Sequence, residues 1–255
     1  IHSIAMIELE YTGSVLTLTL ARSPVNAIND EWIDRFNAIL DELGMRTDVS
    51  VLVLRSSQRS FSAGADLKLM RECFTGDAGR ARMLEVVRRM QRLYDRIERL
   101  PQVTIAVLGG AAFGGGFELA LSCDLRVAAD EAQLGLPEAR LGLLPGAGGT
   151  QRLTRLCGPG AARRLILTAE TLDGSQAKTL GIVQWAVPAA GLDGFALQLA
   201  QRVAALSPHA LAACKQCLGV ADGSSQHGMA VELHLTAALF AHADTRQRVN
   251  DFLQR

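Results

Sequence analysis

Gly109-Gly-Ala-Ala-Phe-Gly-Gly-Gly-Phe-Glu118 is the stretch on which the reading of this chain turns. It follows Val103-Thr-Ile-Ala-Val-Leu108, an apolar run of strand length, and it precedes a helical pattern that begins at Phe117. Three glycines directly before a helix let a backbone come close to something else, because no Cβ stands in the way. They also leave unpaired N–H groups at the positive end of the helix. Such a place suits an anion, or an oxygen that becomes negative during a reaction. It equally suits a tight crossing of two backbones, and the segment alone leaves both readings open.

Working outward, Glu118 sits two residues past the triplet among Phe113, Phe117, Leu119 and Ala120. Apolar neighbours disfavour a charged carboxylate and raise its pKa; a first-turn glutamate resting on the helix dipole is the plainer alternative. Glu138 has similar company in Leu134-Gly-Leu-Pro-Glu138, and its plainer reading is an exposed loop carboxylate. Two glutamates in apolar settings beside glycine-rich segments suggest an acid/base pair. Two more segments complete the set: Phe61-Ser-Ala-Gly-Ala-Asp-Leu-Lys68 and Gly142-Leu-Leu-Pro-Gly-Ala-Gly-Gly-Thr-Gln-Arg152.

The flanking elements follow from periodicity. Val15–Leu20 alternates with period two and reads as the first, half-buried strand; Val51–Leu54 reads as a buried one, and Leu125–Ala128 as another. Asn29 or Asp30 caps a helix with the apolar face Ile33, Phe36, Ile39, Leu40 and Leu43. A long helix is expected over Arg80–Leu100, stopped by Pro101. After Val187-Pro188 the pattern becomes helical throughout, with three helices expected over residues 191–255. The expected organisation is an α/β core over residues 6–190 and a helical region over 191–255. Met6 is read as the native first residue, preceded by five residues without a signal-peptide pattern.

Composition narrows the partners. With 255 residues, 49% of them hydrophobic, the chain can bury a large core. Lys+Arg and Asp+Glu are both 26, so the formal net charge is +0 and there is no global attraction to nucleic acid or anionic membrane. No apolar run approaches the ~20 residues of a membrane span. Five scattered cysteines read as reduced thiols in a cytoplasmic setting; Cys214-Lys-Gln-Cys217 matches C-x-x-C only by letter and stands alone. Gly146-Ala-Gly-Gly149 lacks the spacing of a dinucleotide fingerprint, and no histidine falls in a glycine-rich segment, which argues against a serine hydrolase.

The four segments, in this order, resemble the crotonase (enoyl-CoA hydratase/isomerase) superfamily across nearly the whole chain. That resemblance implies an α/β fold of the crotonase-like (ClpP/crotonase) type, a spiral of ββα units with a C-terminal helical trimerisation region, assembled as a homotrimer or homohexamer. It implies that the N–H groups of Ala65 and Gly115 form an oxyanion hole for the thioester oxygen of an acyl-CoA. Glu118 and Glu138 would share a water, with Glu118 as its base and Glu138 as proton donor to C2. Ala63, Asp66, Leu67, Lys68, Gly114 and Gly146 would bind substrate, Lys68 near the CoA phosphates and Gly146 helping to place the water. No metal and no separate cofactor is implied, since CoA is part of the substrate.

Both glutamates are present, which favours a 2-enoyl-CoA hydratase over a Δ3,Δ2-enoyl-CoA isomerase, a thioester hydrolase or another acyl-CoA enzyme of the superfamily. Ser23-Pro-Val-Asn-Ala-Ile28 departs from the commoner hydratase form and resembles a version seen in some isomerases and bifunctional enzymes. RNA binding, known for relatives with a lysine-rich helix, is disfavoured because the matching helix, Glu31–Leu43, is acidic. Met70–Arg82 is expected to border the acyl pocket as a mobile loop.

Overall fold

The computed structural model describes residues 6–73 and 76–254. Along the chain these form β1 (Ile7–Thr12), β2 (Val15–Leu20), α1 (Asp30–Gly44), β3 (Val51–Ser56), α2 (Leu67–Cys73), α3 (Gly76–Glu98), β4 (Val103–Leu108), β5 (Ala112–Phe113) and α4 (Gly115–Leu121). There follow β6 (Leu125–Ala129), β7 (Leu134–Gly135), a 3-10 turn over Glu138–Leu141, α5 (Gly149–Thr168), β8 (Thr171–Leu172), α6 (Gly174–Thr179) and β9 (Trp185–Val187). Four helices close the chain: α7 (Ala189–Ala204), α8 (Pro208–Gly219), α9 (Ser225–Ala241) and α10 (Ala243–Leu253).

The main sheet runs β1-β2-β3-β4-β6-β9, parallel except for β1, which pairs antiparallel with β2. Every residue of β4 is buried. That fits its run of Val, Thr, Ile, Ala, Val and Leu, since a central parallel strand is covered on both faces. One cover is α7, which packs across β2, β3, β4 and β6 and buries Leu192, Ala196, Leu199, Ala200 and Val203. Asn29 caps α1 by accepting from Trp32 N at 2.9 Å, and the helix buries Trp32, Ile33, Phe36, Ile39, Leu40 and Leu43. Burying each such large side chain contributes about 2 kcal/mol.

Three expectations need correcting. The first strand is β1, not β2; its outward residues include Glu8 and Glu10, so as an edge strand it lacks an apolar run. The C-terminal region holds four helices rather than three, because His242 both ends α9 and caps α10, its Nδ1 accepting from Asp244 N at 3.2 Å. The stretch bordering the acyl pocket is helical, not a loop: α2 reaches Cys73 and α3 starts at Gly76. Gly76 and Gly79, taken as loop glycines, lie in the first turns of α3; Gly79 passes so close to α2 that a Cβ would lie 2.5 Å from Cys73 O. Phe74 lies outside the described residues.

The second sheet is small and decides where the site lies. β5 runs parallel to β7, with Ala112 beside Leu134 and Phe113 beside Gly135. Ser62 bridges to Ala112, and Phe113 N donates to Ser62 O at 3.0 Å. Three chain segments therefore arrive side by side: 61–65, the glycine triplet and the turn carrying Glu138. Asn26, in the left-handed region at φ +51 and fully buried, pins the first of them by donating from Nδ2 to Ser56 Oγ at 2.8 Å and Phe61 O at 3.0 Å.

Candidate active site

A cavity of about 330 Å³ opens where these segments meet. Ala63, Ala65, Leu67, Gly114, Gly115, Glu118, Glu138 and Gly146 all line it. Asp66 and Lys68 do not: Asp66 is tied to Arg22 at 2.8 Å, which with its other hydrogen bonds holds its carboxyl below the usual range against partial burial, and Lys68 is exposed on α2.

The two expected N–H donors are neighbours. Ile28 N donates to Gly64 O and Asp66 N to Ile28 O, so the pairing passes over Ala65. Gly115 is the first residue of α4, where a helix leaves its N–H groups free. Among the described residues neither N–H has an intramolecular acceptor. Their closeness depends on missing side chains: a Cβ on Gly64 would lie 2.9 Å from Phe113 O and 3.0 Å from Gly115 N, and one on Gly116 would lie 2.4 Å from Ser62 O. Tyr94 of α3 holds the same turn from behind, its hydroxyl donating to Gly115 O at 2.7 Å.

Glu118 is only 2% exposed. Its Oε1 accepts from Ala147 N at 2.8 Å and from Gly149 N at 2.7 Å. Burial raises its pKa to about 7, helped by the charge of Glu138 and opposed by the two N–H donors and by Arg152. Burial also pushes Glu138 upward, and its buried Oε2 has no hydrogen-bond partner. Glu138 lies against the triplet, since a Cβ on Gly114 would be 3.2 Å from its Oε1. One carboxylate thus has two N–H donors from the facing turn ready for a negative charge, and the other has a buried oxygen with no partner. The two are coupled, since the charge of Glu138 is among the causes that raise Glu118.

The rest of the lining is apolar: Met70 from α2, Met83, Val87 and Met90 from one face of α3, Phe113, Pro137, and Leu141, Leu143 and Leu144. The α3 side chains were legible only as a core-facing stripe. The donors to Glu118 from Ala147 and Gly149, and the buried Arg152 behind them, carry no role in the sequence reading. Their signal was Gly-Ala-Gly-Gly before a helix, the same device as the glycine triplet. Among the described residues no His/Cys/Asp/Glu group could hold a metal, and no helix is long and apolar enough to cross a membrane.

A mixed α/β fold with a central sheet and this arrangement of helices is that of the crotonases. The sequence model of the family described as Enoyl-CoA hydratase/isomerase matches residues 10–255. A 2,3-dehydroadipyl-CoA hydratase of Escherichia coli (strain K12) is 38% identical over 94% of this chain and 92% of its own length. A Pseudomonas aeruginosa DspI structure superposes with a TM-score of 0.92 at 35% identity, covering 100% of this chain and 96% of that one. The crystal structure of an enoyl-CoA hydratase from Bacillus anthracis gives 0.92 at 32% identity, covering 98% and 96%. The chain belongs to the enoyl-CoA hydratase/isomerase family of the crotonase superfamily.

Proposed function

We propose that this protein is an enoyl-CoA hydratase, adding water reversibly to a trans-2-enoyl-CoA to give a 3-hydroxyacyl-CoA. The observation that carries the reading is the convergence, on one apolar cavity, of two raised carboxyls and two unpaired N–H groups. Water attacks C3 as Glu118 takes its proton, and the π electrons of C2=C3 move onto the thioester oxygen. The Ala65 and Gly115 N–H groups receive that enolate oxygen; they act more strongly on the transition state than on the ground state. Glu138 then gives its proton to C2. The two N–H donors on Glu118 and the unpartnered Oε2 of Glu138 support this division of roles.

Among the described residues the cavity lining offers no Lys, Arg or His to a second carboxylate on the acyl chain, and its two ionisable groups are themselves acids. An unpaired charge in such a place is costly. Purified protein should therefore bleach the enoyl-thioester absorbance of crotonyl-CoA and 2-hexenoyl-CoA with a kcat/KM at least about tenfold above that for 2,3-dehydroadipyl-CoA, a difference of ~1.4 kcal/mol. Equal or better turnover of the dicarboxylic substrate would overturn the acyl preference. Inactivity on every 2-enoyl-CoA, with conversion of a 3-enoyl-CoA to the conjugated form, would replace hydratase by isomerase.

The pH dependence follows from the same pair. Hydration needs Glu118 as a free carboxylate when water gives up its proton. Glu118 ionises at about 7, so kcat/KM for hydration should rise with a one-proton slope as pH climbs through that region. A profile that stays flat or only falls through pH 7 would contradict the assignment.

A further inference from the structure

Behind Glu118, on the far side of the Ala147–Gly149 turn, lies Arg152, only 5% exposed. Its NH1 donates to Ala147 O at 3.1 Å, its Nε to Glu98 Oε2 at 3.0 Å, and its NH2 to Asp95 Oδ1 at 2.6 Å. Ala147 is thus held from both sides, its N–H by Glu118 and its carbonyl by Arg152. The turn between them is one residue thick. Gly148 sits at φ +104, and a Cβ there would lie 2.1 Å from Arg152 NH1; a Cβ on Gly149 would lie 2.8 Å from Glu118 Oε1. One glycine makes room for the guanidinium and the next for the carboxylate.

We infer that Arg152 is a positioning residue for the reaction: anchored to Asp95 and Glu98 of α3, it fixes the turn whose two N–H groups aim and charge-balance Glu118. A planar fork with several fixed donors suits this task where a lysine ammonium does not. The inference rests on the reading of Glu118 as the base. The charged and titratable groups facing Glu118 are Glu138 from the 3-10 turn, Tyr94 from α3 and Arg152 from α5; those facing Arg152 are Asp95 and Glu98, with Arg155 sharing Glu98.

The test compares wild type with Arg152→Gln and Arg152→Lys. Each variant is first checked for folding by circular dichroism. Kinetics with crotonyl-CoA across pH follow, beside ¹³C NMR titration of the Glu118 carboxyl. For Arg152→Gln, kcat should fall roughly 10–100-fold, the scale of a small misplacement of a reacting group, with KM nearly unchanged. Its acidic limb of kcat/KM and its Glu118 titration should both move to higher pH, because a positive charge that favours the anion is gone. Arg152→Lys should keep the wild-type titration while recovering only part of kcat. A folded Arg152→Gln with wild-type kcat and wild-type titration overturns the inference. So does failure of both variants to fold, which would assign Arg152 to the packing of α3 on α5. Wild type inactive on all 2-enoyl-CoAs would instead fail the hydratase reading, while the Glu118 titration would still report on Arg152.

Discussion

Glu118→Gln should lower kcat with crotonyl-CoA by about 10² or more while the protein becomes harder to unfold at pH 8. The loss of activity follows from removing the base, since a carboxamide does not take a proton from water. The fold should survive, because the amide oxygen can still accept from Ala147 N and Gly149 N, as Oε1 does now. The gain in stability comes from linkage. Glu118 ionises at about 7 in the fold but near 4.5 in its unperturbed state. The folded protein therefore holds a proton that the unfolded chain has lost, and stability declines as pH rises from about 4.5 to about 7. A neutral side chain escapes that decline, which is worth up to roughly 3 kcal/mol above pH 7. Calorimetry at pH 8 should then place the melting temperature of the variant several degrees above wild type. A variant that keeps its activity, or that melts lower at pH 8 than wild type, would count against a buried catalytic carboxylate here.

Gly64→Ala should be strongly damaging to the chemical step. Gly64 occupies φ +87, where an alanine is strained, and the new Cβ would meet two backbone atoms rather than a flexible side chain. One of those atoms is Gly115 N, so relief of the overlap must part the two N–H groups. Losing one such donor typically costs 10²–10³ in kcat. The bound thioester supplies a readout that general destabilisation does not move. Its carbonyl stretch should lie at lower frequency in wild type, where two donors polarise it, and return toward the free value in the variant. A folded variant with an unshifted carbonyl and wild-type kcat would show that these N–H groups do not receive the thioester oxygen.

How much of this was legible depended on the range of each interaction. The strands β2, β3 and β4 and the α1 face from Ile33 to Leu43 are set by neighbours in sequence, and periodicity found them; the N-cap was narrowed to Asn29 or Asp30, and it is Asn29. The edge strand β1 escaped because only one side of it is packed, and the 70–82 stretch because Gly79 signals close contact with Cys73 rather than freedom. Glu118 and Glu138 could be nominated from their apolar neighbours, and residue order alone carried the resemblance. What the sequence could not show is which atoms meet across the fold: Ala147 and Gly149 reach Glu118 from about thirty residues away, and Arg152 reaches Asp95 from 57 away. Such contacts come from topology, here from the short parallel pairing of β5 with β7.

The single-residue turn between Glu118 and Arg152 has a consequence for inheritance. Every missense change at the codons for Gly148 or Gly149 adds at least a Cβ, and there is no space for one at either position. Neither site has a conservative neighbour to drift through, and compensation at one cannot relieve the other, because the obstacles stand on opposite sides of the chain. A saturation library selected for growth on an enoyl-CoA-yielding carbon source should return both codons as glycine, while Gly160 further along α5, with open space around it, should accept substitution.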